Sequence, residues 1–201
     1  LNSAQRSQMP VFIEGDSLTG QTANTTTVTG NAVLRRADTM IRADRLRFNE
    51  PTNTAQADGN VHINRAGSVF DGKELQVQLD SFEGYFKDAN YRLIENNAYG
   101  VAKQVDFIDR DRSVVHAGTY TTCQRTDEES WKPDWMIRAD KISIDTLEEV
   151  GVAENAVLEF KGVPLLPLPS MSFPLSEKRK SGLLPPTMSL DSDSGFTYSQ
   201  P

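Results

Sequence analysis

An apolar–small–apolar pattern recurs five times along this chain, and it limits the possible folds more than any other feature of the sequence. The pattern occupies residues 13–18, 41–46, 70–75, 100–105 and 137–142. Its last apolar residues, Leu18, Leu46, Leu75, Val105 and Ile142, follow one another at steps of 28, 29, 30 and 37 residues. The final step is longer because a polar stretch, residues 123–133, lies inside it. A period of this length indicates stacked structural repeats with one inserted loop.

Within each segment apolar residues alternate with polar ones, which is typical of a half-buried β-strand. The alternation changes phase once, since the odd-numbered Ile41 and Ala43 are followed by the even-numbered Leu46 and Phe48. We interpret the phase change as a β-bulge or corner at the small residue, because such an insertion returns the following apolar side chains to the same face. In the fourth segment Gly100 replaces the first apolar residue.

A second strand is predicted in each repeat around an asparagine or aspartate. Relative to Asn31, Asn60 and Asn155, apolar residues lie three positions before, one after and three after, and Asp88 takes the same place in the third repeat. No stretch keeps a 3.6-residue apolar period for three turns, so helices are not expected. The sequence therefore predicts an all-β fold of roughly ten short antiparallel strands in two facing sheets that bend at the bulge.

The predicted inward face mixes small and medium-sized apolar side chains. It fits an ordinary sandwich core, and it equally fits two sheets that stay apart and leave a groove for acyl chains. In such a groove each buried CH₂ would contribute about 0.8 kcal/mol. The predicted lining residues are Val28, Ala32, Leu34, Ile41, Ala43, Leu46, Phe48, Ala57, Val61, Ile63, Phe70, Leu75, Val77, Tyr85, Tyr91, Val105, Phe107, Ile137, Ile142 and Leu158.

Composition and residue types argue against catalysis and against nucleic acid as a partner. The formal net charge is −7 and the isoelectric point is near 4.9, whereas nucleic-acid-binding faces are basic. The two histidines, His62 and His116, and the single Cys123 show no metal-ligand spacing. No nucleophile elbow, phosphate loop or triad pattern is present. The sequence therefore predicts a protein that is not an enzyme and that has no cofactor or metal.

Cys123 is the only cysteine, and it lies in a polar, loop-like stretch. One interpretation is a buried thiol that packs like a small apolar residue and does not react. The other is a disulfide to a partner outside the sequence given, which is the more common role of a lone cysteine on a polar loop.

The chain changes character after the last repeat. Residues 162–169 are proline-spaced, which indicates an extended connection. Two alternating stretches, residues 187–190 and 196–199, flank a turn and predict a hairpin. The predicted organisation is an extended or disordered segment over 1–10, one β domain over 11–162, a linker over 163–176 and a hairpin within 177–201 that pairs with strands beyond the sequence given.

Several of these segments resemble one known family. The repeat elements are Gly-Asn-Ala-Val at 30–33 and Ile-Arg-Ala-Asp at 41–44 and 137–140. Two other segments are more specific because of their order and distance: Thr-Tyr-Thr-Thr-Cys at 119–123, and Glu-Lys-Arg-Lys-Ser-Gly at 177–182 followed by Leu-Leu-Pro. Over essentially its whole length the chain resembles the N-terminal periplasmic domain and first barrel strands of the LptD family of LPS-assembly outer-membrane proteins, also called the organic solvent tolerance (OstA) family.

The resemblance implies a bent, OstA-like β-jellyroll of stacked antiparallel strand repeats, followed by a linker and the first hairpin of an outer-membrane β-barrel. It implies that the jellyroll carries lipopolysaccharide by its acyl chains and passes it to a lateral gate in the barrel. The implied location is the Gram-negative outer membrane, with this part of the protein mainly in the periplasm. The implied partners are lipopolysaccharide, the periplasmic bridge protein LptA through strand addition, the plug lipoprotein LptE and the outer membrane.

The resemblance also implies roles for three residues. Cys123 would form an interdomain disulfide with the barrel, and Pro185 and Pro201 would weaken strand closure at the lateral gate, because proline cannot donate to a strand ladder. Prolines that merely end strands are the alternative. Two other functions stay open: a closed β-sandwich that docks a partner without a lipid channel and, more remotely, a β-solenoid enzyme acting on polysaccharide.

Overall fold

The computed structural model describes residues 9–21, 24–65, 67–94, 97–124, 131–175, 187–191 and 195–199. Within these ranges every regular element is a β-strand, and no helix is long and apolar enough to cross a membrane. The strands are β1 (Phe12–Glu14), β2 (Ser17–Gln21), β3 (Thr25–Arg36), β4 (Thr39–Asn49), β5 (Thr54–Arg65), β6 (Ser68–Gln78), β7 (Gly84–Leu93), β8 (Ala98–Phe107), β9 (Arg112–Tyr120), β10 (Trp135–Asp145), β11 (Val150–Phe160), β12 (Val163–Pro174), β13 (Thr187–Asp191) and β14 (Gly195–Ser199). Of the predicted N-terminal segment, residues 1–8 lie outside the described residues.

Twelve strands form one antiparallel sheet in which neighbours in sequence are neighbours in space. From β3 to β12 each strand pairs with the next one. At the first edge β1 pairs with residues 33–35 and β2 with residues 25–29 of β3, so the two short strands together correspond to one bent strand. The predicted all-β fold is confirmed, with twelve strands in the sheet where the sequence suggested roughly ten.

The strands β3, β5, β7, β9 and β11 each bend at a residue in the left-handed conformation. These residues are Asn31, Asn60, Asp88, Ala117 and Asn155, with φ between 44° and 52°. Asparagine and aspartate tolerate this conformation better than most residues that carry a side chain. This tolerance explains why the predicted second strands centre on asparagine or aspartate.

The phase change predicted at the small residue is observed, since Ala43 and Leu46, three positions apart, are both buried; the register places the bulge itself on the partner strand. Over residues 29–32 β3 advances three positions while β4 advances only two, and β5 gains one position on β6 over residues 58–61. In both stretches a left-handed glycine, Gly30 or Gly59, precedes the left-handed asparagine. The additional residue therefore belongs to the asparagine strands and not to the apolar–small–apolar strands.

The small residue of the repeat is explained by packing at the inside of the bend. Ala43 is buried there. At the equivalent Gly72 an added Cβ would come within 2.7 Å of the Phe86 ring. A larger side chain at this position would therefore push the two arms of the bent sheet apart.

Polar side chains on the outer surface hold several bends in place. In three repeats the asparagine side chain donates to an aspartate of the preceding strand. The pairs are Asn31 with Asp16 (3.0 Å), Asn60 with Asp44 (2.8 Å) and Asn155 with Asp140 (3.2 Å). In the third repeat the polarity is reversed, since Lys73 lies 3.0 Å from Asp88. The aspartate that ends each Ile-Arg-Ala-Asp segment is thus the partner of the asparagine at the bend of the next strand.

The aligned bends fold the sheet into two half-sheets. The first half-sheet ends at the turns near residues 37, 67, 94 and 161, and the second ends at the turns near residues 51, 80, 110 and 147. Through Tyr91, the strand register places Phe70 level with Gly100 of β8. Gly100 lies seven residues before Phe107, which is roughly 23 Å along an extended strand. Nevertheless the Phe70 and Phe107 rings are only 5.6 Å apart. The half-sheets therefore face each other, which makes the domain a bent β-jellyroll.

The sheet extends further than the sequence suggests. Residues 163–174, which were predicted as part of a linker, form β12 and pair with β11. Proline is tolerated in a strand at a sheet edge, so the proline spacing was a poor guide to a linker. Among the residues that the structure describes, the strands β13 and β14 pair only with each other, at the position where the sequence predicts a hairpin.

Candidate ligand cleft

Most residues predicted to line a lipid path lie together in one buried apolar core between the half-sheets. These core residues are Val28, Ala32, Leu34, Ile41, Ala43, Leu46, Phe48, Ala57, Val61, Ile63, Leu75, Val77, Tyr91, Val105, Phe107, Ile137 and Ile142. Phe70 and Leu158 are partly buried and pack against this core. The core also contains Phe82 and Val115, which the sequence pattern did not single out. The alternation of apolar residues did not identify Phe82, because this residue lies in a turn.

Tyr85 is the exception, because its side chain lies on the outer face. Its hydroxyl donates to Glu74 (2.7 Å), and Phe86 occupies the inward position instead. In the first two asparagine strands the inward residue stands three positions before the bend. Asp88 has no left-handed glycine before it, so its bend is one residue shorter and the inward residue stands only two positions before it.

Along one side of the jellyroll the turns of the two half-sheets meet, and we call this line the seam. Arg36 of the first half-sheet lies 3.0 Å from the Asp80 carboxylate of the second. Arg65 donates to the Arg110 carbonyl across the seam (2.9 Å), and its guanidinium lies 4.1 Å from the centre of the Phe82 ring. These five residues are named the arginine clasp, and the part of the seam that they close is the clasped section.

The clasp is built into the fold and does not lie loosely on its surface. Arg110 donates to the carbonyls of Asp80 (2.9 Å) and Leu79 (3.1 Å), which fixes the two turns of the second half-sheet against each other. The side chain of Arg36 is only 7% exposed. A shielded ion pair is screened less by water and salt than an exposed one, so the clasp holds the seam closed here.

Beyond the clasp the half-sheets separate and leave a cleft of about 530 Å³, which we call the open section. This volume is within the range of small-molecule binding sites. The apolar side chains that line the cleft are Phe70, Tyr91, Leu93, Val105, Phe107, Val115 and Ile144. The charged residues that line it are Asp38, Arg65, Asp109, Arg110, Asp111 and Arg112. Since these charges are three of each sign, the mouth offers no strong net charge to a ligand.

Three large apolar side chains are exposed beside the cleft. Ile94, Ile108 and Leu147 are 52%, 46% and 73% exposed, and each is next in sequence to a residue that lines the cleft. At one side of the mouth the Asp109 carboxylate accepts hydrogen bonds from Arg112, and this contact holds the pKa of Asp109 below its ordinary value. The open section thus combines apolar walls with apolar turns at its entrance.

Tyr91 belongs to the wall of the cleft and also to a groove on the outer face. It is the cross-strand partner of Gly100, and its hydroxyl donates to the Thr119 carbonyl (2.5 Å). An added Cβ at Gly100 would collide with that carbonyl, which explains why glycine replaces the apolar residue in the fourth repeat. Burial raises the pKa of the Tyr91 hydroxyl and raises that of the Tyr120 hydroxyl to about 12.

Cys123 lies outside the core. It is half-buried and lines an outer groove of about 820 Å³ together with Thr119, Thr121 and Met136. Its thiol is free and lies 3.6 Å from the Trp135 carbonyl. Because the sequence holds no second cysteine, the predicted disulfide stays a prediction about a partner outside it. The two prolines predicted for a lateral gate, at 185 and 201, lie outside the described residues.

Each of the two histidines lies beside an aspartate. His62 lies 2.7 Å from Asp71, and His116 lies 2.8 Å from Asp106. No group of three or more histidine, cysteine, aspartate or glutamate side chains in this part of the chain has the geometry to hold a metal ion. The cleft thus offers a ligand apolar walls together with the balanced charges at its mouth.

The folded repeat and the cleft define a class of protein: a bent β-jellyroll whose apolar interior opens through a gap in its seam. Residues 12–150 match the family described as LptA/(LptD N-terminal domain) LPS transport protein. The chain belongs to this family, and the resemblance inferred from its repeat elements is confirmed.

The relatives of the chain include proteins named LPS-assembly protein LptD. One from Acidovorax sp. (strain JS42) is 58% identical over 196 residues, which is 98% of this chain and 24% of that protein. Another from Paracidovorax citrulli (strain AAC00-1) is 58% identical over 197 residues, again 98% of this chain and 24% of the relative. A relative from Cupriavidus necator (strain ATCC 17699 and synonyms) is 38% identical over 195 residues, 97% of this chain and 23% of that protein. The chain thus spans about a quarter of the length of these relatives.

Proposed function

We propose that this chain is the N-terminal, periplasmic part of an LPS-assembly protein of the outer membrane, and that its jellyroll holds the acyl chains of lipopolysaccharide between the half-sheets. The observation that carries the proposal is the open section of the seam. There an apolar cleft of about 530 Å³ leads from exposed apolar turns to the walls of the core. The relatives named LPS-assembly protein LptD supply the class of cargo.

The energetics favour an acyl chain over a polar ligand in this cleft. Each CH₂ removed from water contributes about 0.8 kcal/mol, whereas a polar group buried without a hydrogen-bond partner costs roughly 1–3 kcal/mol. Phe70, Val105 and Val115 offer such a chain apolar contacts. The saccharide of the same molecule would stay in water outside the mouth.

Docking of a periplasmic bridge protein such as LptA by strand addition fits the first edge of the sheet better than the last. The last strand, β12, has prolines at 164, 167, 169 and 174, so four of its twelve residues lack an amide donor. The first-edge strands β1 and β2 contain no proline. We propose that the bridge protein adds its strand to the edge formed by β1 and β2.

In this proposal the part of the protein after β12 forms the outer-membrane barrel, which receives the plug lipoprotein LptE and begins with the hairpin of β13 and β14. Cys123, on the outer face, would form its disulfide with that part of the protein. Pro185 and Pro201 would act at the lateral gate through which lipid leaves.

A photo-reactive amino acid placed at Phe107, inside the cleft, tests the proposal in cells that make the full-length protein. Irradiation is expected to link lipopolysaccharide to position 107. The matched control is Tyr85, which is in the neighbouring strand but on the outer face, and it should capture none. Failure to capture at 107 and also at Val115, while the bridge protein captures its lipid normally, would contradict the proposal.

One observation favours a second function, a closed module that docks a partner. In the clasped section the core residues Leu34, Ile41 and Ile63 are cross-strand neighbours in the first half-sheet. They have no exposed surface, so this part of the jellyroll is filled by its own side chains. Absence of capture at 107 and 115, with normal assembly of the full-length protein, would support this second function.

A further inference from the structure

The seam decides where the polar part of an amphiphile can pass. If acyl chains lie between the half-sheets, the saccharide attached to them must leave the interior through the seam, because burial of unpaired polar groups is unfavourable. The open section offers such a passage. The clasped section does not, since Arg36, Asp80, Arg65 and Arg110 join the two half-sheets across it.

We propose that the arginine clasp is a gate that opens each time the headgroup of the cargo passes from the first edge of the sheet to the cleft. The inference rests on the proposed function. It adds that the path along the seam is interrupted, and that Arg36 and Arg65 are the positioning residues that interrupt it. The clasped section lies between the edge formed by β1 and β2 and the open section, so cargo that arrives at the first edge meets the clasp before it reaches the cleft.

The chemistry of the clasp suits repeated opening. Its contacts across the seam include an ion pair, a hydrogen bond to a carbonyl and a cation–π contact. The ion pair and the hydrogen bond can be exchanged for contacts with water or with a polar headgroup without the loss of apolar burial. An apolar contact of the same extent, such as the core beneath it, has no comparable substitute in water.

A covalent link across the seam tests the gate in the full-length protein in its host envelope. Ala37 and Glu83 are both exposed, on the turns that follow Arg36 and Asp80. The double variant A37C/E83C is treated with a short bismaleimide. The matched control A37C/N64C carries the same reagent between two exposed positions of the first half-sheet, so it does not cross the seam. The single variant A37C, treated with the same reagent, shows any effect that comes from reaction at Cys123.

Two readouts are measured: arrival of newly made lipopolysaccharide at the cell surface, and photo-capture at Ile13 in β1 and at Val115 in the cleft. Linked A37C/E83C is expected to deliver at least tenfold less lipopolysaccharide than the same variant without the reagent. Capture at position 13 should persist while capture at position 115 falls by a similar factor. The linked control should stay within twofold of its unlinked form.

Unchanged delivery and unchanged capture at both positions in linked A37C/E83C would overturn the gate and leave the proposed function intact. Equal losses in A37C/E83C and A37C/N64C would also overturn it, because the seam would then have no special part. Lack of capture at both positions in the unlinked protein would overturn the proposed function and the gate with it.

Discussion

The clasped and open sections of the seam are made by the same strand repeat, yet different side chains stand at their turns. In the clasped section Arg36 and Arg65 reach across to the second half-sheet. One turn further along, Ile94 and Leu147 stand on opposite half-sheets and both are exposed. A long charged side chain can bridge two turns through a single ion pair, whereas isolated apolar side chains cannot. A few turn residues therefore decide which part of a jellyroll is closed.

The bends differ between the two sections as well. In the clasped section the bends of β3 and β5 contain a left-handed glycine before the asparagine, and Asn31 and Asn60 are held by aspartates. In the open section the bend of β9 is Ala117, whose methyl group makes no polar contact and whose φ is 46°. The bend of β9 therefore lacks the polar support found in β3 and β5, whereas the bend of β7 in the same section has the ion pair between Asp88 and Lys73.

The largest difference between the sections is expected in core packing. Ile63, in the clasped section, has no exposed surface, and Ile63→Ala should lower the free energy of unfolding by about 3 kcal/mol through lost apolar burial and a new cavity. Leu93 borders the cleft and is only partly buried, so Leu93→Ala should cost about 1 kcal/mol. Urea unfolding followed by circular dichroism measures both. Equal losses would contradict the distinction between a filled and an open section.

The clasp itself should contribute the next largest effect. Arg36→Ala leaves the Asp80 carboxylate without its cation and should lower the free energy of unfolding by about 2 kcal/mol, as expected when a partly shielded charge loses its ion-pair partner. Arg138→Ala is the control, since Arg138 pairs with Glu159 on the outer face and its side chain is 59% exposed; its loss should stay below about 0.5 kcal/mol. Urea unfolding gives both values. Equal losses in Arg36→Ala and Arg138→Ala would contradict the role of the clasp as the difference between the two sections.

Exchanging the residues at two bends should change stability in opposite directions. Ala117→Asn places in the open section the residue type found at three other bends, and should stabilise the fold by about 0.5–1 kcal/mol because asparagine tolerates the left-handed conformation. Asn60→Ala makes the reverse change in the clasped section and loses the bond to Asp44, so it should destabilise by about 1 kcal/mol. Thermal unfolding of the two variants measures both changes. Shifts of the unfolding temperature in the same direction would contradict the role assigned to asparagine at the bends.

The smallest effect is a pH dependence at the mouth of the open section. The Arg112 guanidinium lowers the pKa of Asp109, so in the folded state this carboxyl has a lower pKa than in the unfolded chain. Its contribution is therefore fully present above the unfolded value of about 3.9 and is lost as the pH falls through the folded value. Arg112→Gln should lower the free energy of unfolding slightly at pH 7 and by less at pH 3, measured by urea unfolding at both. An equal cost at the two pH values would show that the ion pair is not its source.

Local rules carried the sequence-based prediction of the strands. Alternation placed Leu34, Ile41 and Ile63 in the core correctly, and the asparagines marked the bends. The rules failed at a bend that is one residue shorter than the earlier ones, and at the edge of the sheet, where proline is tolerated in a strand. Tyr85 was assigned to the inward face because the bend at Asp88 was treated as equal in length to the earlier ones, and β12 was taken for a linker because of its prolines.

The sequence by itself determined the repeat, the all-β class, the bends and the family, because alternation, left-handed tolerance and specific segments are properties of neighbouring residues. Only the tertiary structure decided where the jellyroll is open. That outcome depends on contacts such as the one between Arg65 and Arg110, which are 45 residues apart in the chain. Contacts of this kind arise after the sheet has folded over, and no local periodicity encodes them. The cleft lies where these cross-seam contacts end.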